Sequence, residues 1–251
     1  MNVTTPDGRT LVVRDTGDPN GFPVLAHHGT PSLGLLYEPW IADAERRGIR
    51  LLAYDRPGYG DSTRSPGRSI ADCARDVEAI ADALQLERLA TWGISGGGPH
   101  ALACAALLPG RVAAAAAVGS PAPYDADGLD WGAGMGVDNI AEFEAAVAGA
   151  SVLEPFLRGQ TEGLEEATGE DVAAAIASLL APVDQAVLVG GAAGEHLAET
   201  LRGGVAGGPD GWLDDDLAFV ADWGFELATI GTPVLIRHGE QDRFVPVAHA
   251  R

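Results

Sequence analysis

Ser95 lies among four glycines in residues 91–100, TWGISGGGPH, and that combination leaves few folds open. Gly93-Ile94-Ser95-Gly96-Gly97 satisfies the pattern G-x-S-x-G, with the apolar run LATW before it and a segment that Pro99 can help to start as a helix after it. A strand that turns at once into a helix holds its serine in a strained backbone conformation, where flanking side chains would collide with both elements. Glycine at the neighbouring positions removes the collision. The hydroxyl is then exposed above the carboxyl edge of a sheet.

The rest of the chain supplies such a sheet. Apolar runs at residues 11–14, 23–27, 50–54, 89–93, 112–118 and 233–237 alternate with helical patterns, which predicts a parallel sheet covered on both faces. Ile70, Cys73, Ala74, Val77, Ile80, Ala81 and Leu84 form one apolar stripe at i, i+3, i+4 spacing, a crossover helix. The rhythm stops near Ser120 and resumes near Thr232. The expected organisation is an α/β core over residues 1–120, a helical cap inserted over 121–228 before the penultimate core strand, and the core continued over 229–251. Within the insert, residues 138–147, 171–180 and 195–201 read as helices, the second opened by a capping-box spacing of Thr168 and Asp171.

Composition narrows the function classes. Acidic residues outnumber basic ones 36 to 16, the net charge is −20, and every basic residue is an arginine. Such a surface repels phosphate backbones and anionic lipid, so neither nucleic acid nor a membrane surface is an expected partner. Cys73 and Cys104 fall inside apolar helical patterns, as core residues do, and form no C-x-x-C pair that would suggest a disulfide scaffold or zinc site. The N-terminal stretch carries charges and proline where a signal peptide needs an apolar run, and the most apolar region is broken by Pro109, Gly110 and Arg111. The expectation is a cytoplasmic protein acting on a small molecule.

Three further loops follow strands. In VLAHHGTPS, backbone N–H groups can be aimed at a developing oxyanion, and Thr30 and Gly96 are the candidate donors. His28 beside them reads as a residue that holds the loop by hydrogen bonds. In AYDRPGYGDS, Asp55 and Arg56 suit a tight turn pinned by charge-assisted bonds. In VLIRHGEQDRFVP, Asp242 stands on the edge that carries Ser95, placed to orient an imidazole.

Taken in order, HHGTP, DRPGYGDS, GISGGGPHALA and HGEQDRFVP resemble the α/β-hydrolase fold family, in particular cap-bearing members related to proline iminopeptidases and small esterases. The resemblance runs from about residue 9 onward, with the insert as the lid. It implies a serine hydrolase acting on a carboxylic ester, or an amide or N-terminal peptide, with Ser95 as nucleophile, Asp242 as the acid, Thr30 and Gly96 as oxyanion donors, and no metal or organic cofactor. Serine at the elbow sets the chain apart from the haloalkane dehalogenase and epoxide hydrolase branches, where the resemblance would require aspartate. Trp131 and Met135 in the insert are candidate pocket walls, with Phe143 and Phe156, or else parts of the insert's own small core.

One part of the pattern is absent. The family places its histidine after the acid and one further strand. Here nine residues follow Asp242, so the expectation is that the terminal strand, the terminal helix and the base are missing from this chain. Among the six histidines, His27 and His28 belong to the oxyanion loop, His100 is carried away by the helix after Ser95, His196 falls in the insert and His238 precedes the acid. His249 is the alternative base. Two other classes stay open: Gly96, Gly98 and Ala101 also fit a dinucleotide fingerprint, though the next strand lacks its ribose-binding acid, and the scaffold can serve a non-catalytic binder.

Overall fold

The computed structural model describes residues 1–164, 166–177 and 179–251. Its sheet has the order β1-β2-β4-β3-β5-β6-β7. The strands are β1 (Asn2–Thr4), β2 (Thr10–Gly17), β3 (Phe22–His27), β4 (Ile49–Tyr54), β5 (Leu89–Ile94), β6 (Val112–Val118) and β7 (Val234–Arg237). β1 pairs antiparallel with β2 and β2 with β4, whereas β4, β3, β5, β6 and β7 run parallel. Every expected strand is present, because continuous apolar runs bounded by turn residues have little alternative to a buried parallel sheet.

The helices preceding the insert are α1 (Glu38–Arg46), α2 (Cys73–Ala83) and α3 (Gly97–Leu107). Between β6 and β7 come α4 (Val137–Ala148), α5 (Ala150–Leu164), α6 (Gly169–Ala175), α7 (Pro182–Leu188), α8 (Ala192–Val205) and α9 (Asp210–Val220). The alternation of strands and helices gives the expected α/β architecture, with helices on both faces of a mostly parallel sheet. α1 packs on β4 and β2, and α3 on β5 and β6.

Two apolar clusters form the interior. Leu25, Leu52, Tyr54, Val77 and Ile80 belong to the one between sheet and helices, each worth about 1.5–3 kcal/mol when fully buried. Leu153, Leu157, Val205, Trp212 and Leu213 form a second inside the insert, and Phe143 packs against both.

The helix expected at 171–180 is shorter: α6 ends at Ala175, and position 178 lies outside the described residues. Pro182 opens α7 and holds Ala181 extended at ψ 154°, so the alanine-rich pattern cannot run through as one helix. The capping box before it is formed, with Asp171 N–H donating to Thr168 Oγ1 and Thr168 N–H to Asp171 Oδ2. The helix expected at 195–201 extends over the whole of α8. At the sheet's end, β7 pairs with β6 and leaves Leu235 and Ile236 51% and 45% exposed.

Candidate active site

Ser95 sits between β5 and α3 with φ at 51°, a left-handed conformation that is uncommon for a residue with a side chain. Its backbone is pinned on both sides: Ser95 N–H donates to Val118 O at 2.9 Å, and Gly98 N–H donates to Ser95 O at 3.0 Å. The glycines are required by space. A Cβ on Gly96 would lie 2.5 Å from Thr30 Oγ1 and 2.8 Å from Phe219 Cζ, and one on Gly98 would overlap the side chain of Ser120. The serine itself remains half-buried.

The loop after β3 lies against this turn. A Cβ on Gly29 would stand 3.5 Å from Ser95 Cβ. Among the described residues, neither Thr30 N–H nor Gly96 N–H donates a hydrogen bond, and Gly96 is also the N-cap of α3, where the helix dipole favours negative charge. The undonated N–H groups thus belong to the residue after Ser95 and to the loop packed against its turn.

The loop is held from below by a buried ionic network. Arg56, 1% exposed, donates to the carbonyl oxygens of His28 and Gly29 and to Thr30 Oγ1. Its other contacts are with Asp215 of α9, at 2.6 Å and 3.2 Å. Asp215 also takes bonds from Thr30 Oγ1 (2.6 Å) and Tyr59 Oη (2.8 Å) and forms an ion pair with Arg68 Nη2 at 2.7 Å. Burial alone would raise its pKa, but Arg56 and Arg68 hold the carboxyl well below the ordinary range. His28 accepts from Arg56 N–H through Nε2 and donates from Nδ1 to Gly29 O; burial and Arg56 push it well below its ordinary value. It is neutral and structural, as expected, and Asp55 likewise pairs with Arg14 at 2.7 Å.

Asp242 lies on the loop after β7. Its Oδ1 accepts from Phe244 N–H and Val245 N–H at 2.9 Å each, which fixes the carboxylate. Oδ2 lies 3.7 Å from His238 Nε2 and close to Gly119, where a Cβ would be 3.3 Å away. That places it at the end of β6, the strand to which Ser95 is bonded.

No histidine bonds the Ser95 hydroxyl among the described residues. His238 Nε2–H donates to Val245 O at 2.6 Å. His249 has both ring nitrogens engaged, Nδ1 accepting from Ala122 N–H and Nε2–H donating to Trp131 O, and burial lowers its pKa. His100 donates from Nδ1 to Gly96 O, and burial followed by Arg56 pushes its pKa down to about 3. His196 packs on Tyr37 at 5.0 Å between ring centroids.

Trp131 and Met135 are both buried, at 5% and 7% exposure. The Trp131 indole donates to Ala122 O, and its ring meets Phe143 at 4.5 Å and His249 at 5.2 Å. A separate cavity of about 240 Å³, lined by Arg14, Leu35, Ile41, His196 and Glu199 among others, does not include Ser95. The described residues contain no cluster of three metal-ligating side chains and no helix long and apolar enough to cross a membrane.

Comparison with known proteins agrees with this fold. The family model described as alpha/beta hydrolase fold matches residues 23–157. A non-heme chloroperoxidase of Streptomyces lividans is 30% identical over 99% of this chain and 84% of its own length. A bifunctional esterase/perhydrolase of Acinetobacter calcoaceticus is 28% identical, over 97% of this chain and 83% of its own. Among solved structures, a hydrolase from Pseudomonas aeruginosa superposes with a TM-score of 0.68 at 20% identity, covering 99% of this chain and 83% of that one. A bromoperoxidase from Bacillus anthracis gives 0.66 at 21% identity, covering 99% and 85%.

Proposed function

Because the chain belongs to the α/β-hydrolase fold family, we propose that it is a serine hydrolase that cleaves the carboxylic ester of a small molecule through an acyl-enzyme intermediate. The observation that carries this reading is Ser95 at φ 51° with the undonated N–H groups of Thr30 and Gly96 beside it. Ser95 Oγ attacks the ester carbon, and the carbonyl oxygen, gaining negative charge, is stabilised by the two N–H donors. Collapse of the tetrahedral intermediate expels the alcohol and leaves an acyl-serine, which water then hydrolyses. The esterase/perhydrolase relative supports hydrogen peroxide as a second acceptor, with a peracid as product. Residues 121–228 serve as a cap over the site.

Asp242 Oδ2 is the atom an imidazole would bond in order to be oriented toward Ser95. Since no histidine of the described residues bonds the serine, proton removal limits the rate of this chain. Added imidazole should therefore raise its turnover of p-nitrophenyl acetate, whereas no stimulation would show that proton removal is not limiting.

The decisive test is Ser95→Ala. It should abolish labelling by a fluorophosphonate and the imidazole-stimulated part of p-nitrophenyl acetate hydrolysis. Unchanged hydrolysis would end the proposal. The free serine hydroxyl favours one second reading, a small-molecule binder on the same scaffold. Ligand-induced stabilisation without fluorophosphonate labelling would support it.

A further inference from the structure

We infer that Asp215 is a positioning residue for the oxyanion loop, and that through it the oxyanion hole depends on the docking of α9. This rests on the serine-hydrolase reading, and it adds to that reading a residue that never meets the substrate.

Asp215 is fully buried, and its Oδ2 receives the Thr30 hydroxyl at 2.6 Å. Thr30 is stiff about χ1, so a bond that fixes its hydroxyl also restrains the backbone of Thr30, whose N–H is undonated. The acid is ionised and held by Arg56 and Arg68, and charge-assisted bonds of this kind are short and directional. Arg56, its closest partner, donates to His28 O, Gly29 O and Thr30 Oγ1, so three consecutive loop residues share one anchor.

The same helix reaches the second donor. Phe219, one turn beyond Asp215 on α9, lies where a Gly96 Cβ would come within 2.8 Å of it. His100, which donates to Gly96 O, has its Nε2 3.9 Å from Asp215 Oδ1. One face of α9 therefore sets both the loop and the turn, and their separation is the width of the hole. α9 is the last helix of the insert, so displacement of the insert's end would misaim Thr30 N–H relative to Gly96 N–H.

Thr30→Val tests this while keeping Asp215 paired with both arginines, although Arg56 Nη2 loses its bond to Thr30 Oγ1. It removes the hydroxyl at constant shape and leaves Asp215 with Arg56, Arg68 and Tyr59. The expected result is a melting temperature lowered by a few degrees, a kcat for p-nitrophenyl acetate lower by roughly tenfold or more with KM unaltered, and faster hydrogen exchange in the peptide spanning residues 28–34. Thr30→Ser, which keeps the hydroxyl, should restore both readouts. Wild-type kcat and exchange in Thr30→Val would overturn the inference.

Ser95→Ala, run alongside, separates the two ideas. If it leaves hydrolysis intact, the hydrolase reading fails and the exchange readout alone decides the role of Asp215. Faster exchange in Thr30→Val would then uphold the Asp215 anchor, and unchanged exchange would sink it.

Discussion

Asp215 and Asp216 are consecutive residues of α9, both at most 1% exposed, yet they sit in opposite electrostatic surroundings. Asp215 faces the loop after β3, where two arginines overcome its burial and keep it ionised. Asp216 has no donor for either oxygen. Burial and the neighbouring Glu142 carboxyl of α4 push its pKa well above the ordinary range, and burial raises Glu142 as well. Glu142 takes the Trp212 indole N–H at 2.8 Å, and burial pushes both acids toward the protonated form. Helical geometry turns successive side chains apart, so one helix holds a fixed anion toward the site and a protonated pair toward the insert. The site side of α9 is locked by charge, whereas the insert side is locked by a titratable proton.

The contrast is broken most severely by Asp215→Ala. It strands Arg56 and Arg68 in the interior, and urea unfolding should show a loss of about 3–5 kcal/mol. A loss below about 1 kcal/mol would mean that the arginines find water instead. Next comes Gly96→Ala, whose methyl group must displace Thr30 or Phe219; a cost of about 1–3 kcal/mol is expected in the same assay, with labelling of Ser95 slowed.

The third test addresses the insert side. A carboxyl whose folded pKa is raised gives stability that is complete below the ordinary carboxylate range and is lost as pH rises through the raised value. Asp215, whose pKa is lowered, behaves in the opposite sense: its contribution is present above the ordinary range and lost as pH falls through the lowered value. Wild-type stability should therefore decline toward alkaline pH, and Asp216→Asn, which can donate to Glu142 without titrating, should flatten that decline and gain about 1 kcal/mol at its upper end. Parallel pH profiles would mean that Asp216 does not titrate over this range. The smallest effect is expected at Gly159→Ala in α5, where a Cβ meets nothing within 4 Å. A gain of about 0.5–1 kcal/mol by thermal unfolding would mark that helix surface as unconstrained, against the penalty at Gly96.

Legibility followed the range of the interactions. The core strands could be read because each is an apolar run, even β6, whose alanines are poor strand formers by propensity and are tolerated between β5 and β7. The turn at Ser95 is a local device, and so is the loop that holds Asp242. β1 is too short to announce itself, with three residues paired to β2. α5 carries Pro155 inside it, which conceals its pattern. α9 was hidden by three successive aspartates in a stretch that is otherwise apolar. Those aspartates were the available signal, since acids on a buried helix need partners. Naming the partners required the fold, because Arg56 lies 159 residues from Asp215 in sequence.

Thr30 and Asp215 are 185 residues apart. During synthesis at about 5–20 residues per second, the chain through β6 exists for several seconds before α9 has been made. For that interval Arg56 and Arg68 have no Asp215, and the Thr30 loop has no anchor. The sheet can begin to pack while the Thr30 loop is still unanchored, so the candidate site is completed late in the life of the nascent chain. A ribosome stalled before α9 would display Ser95 beside a Thr30 loop that nothing yet holds.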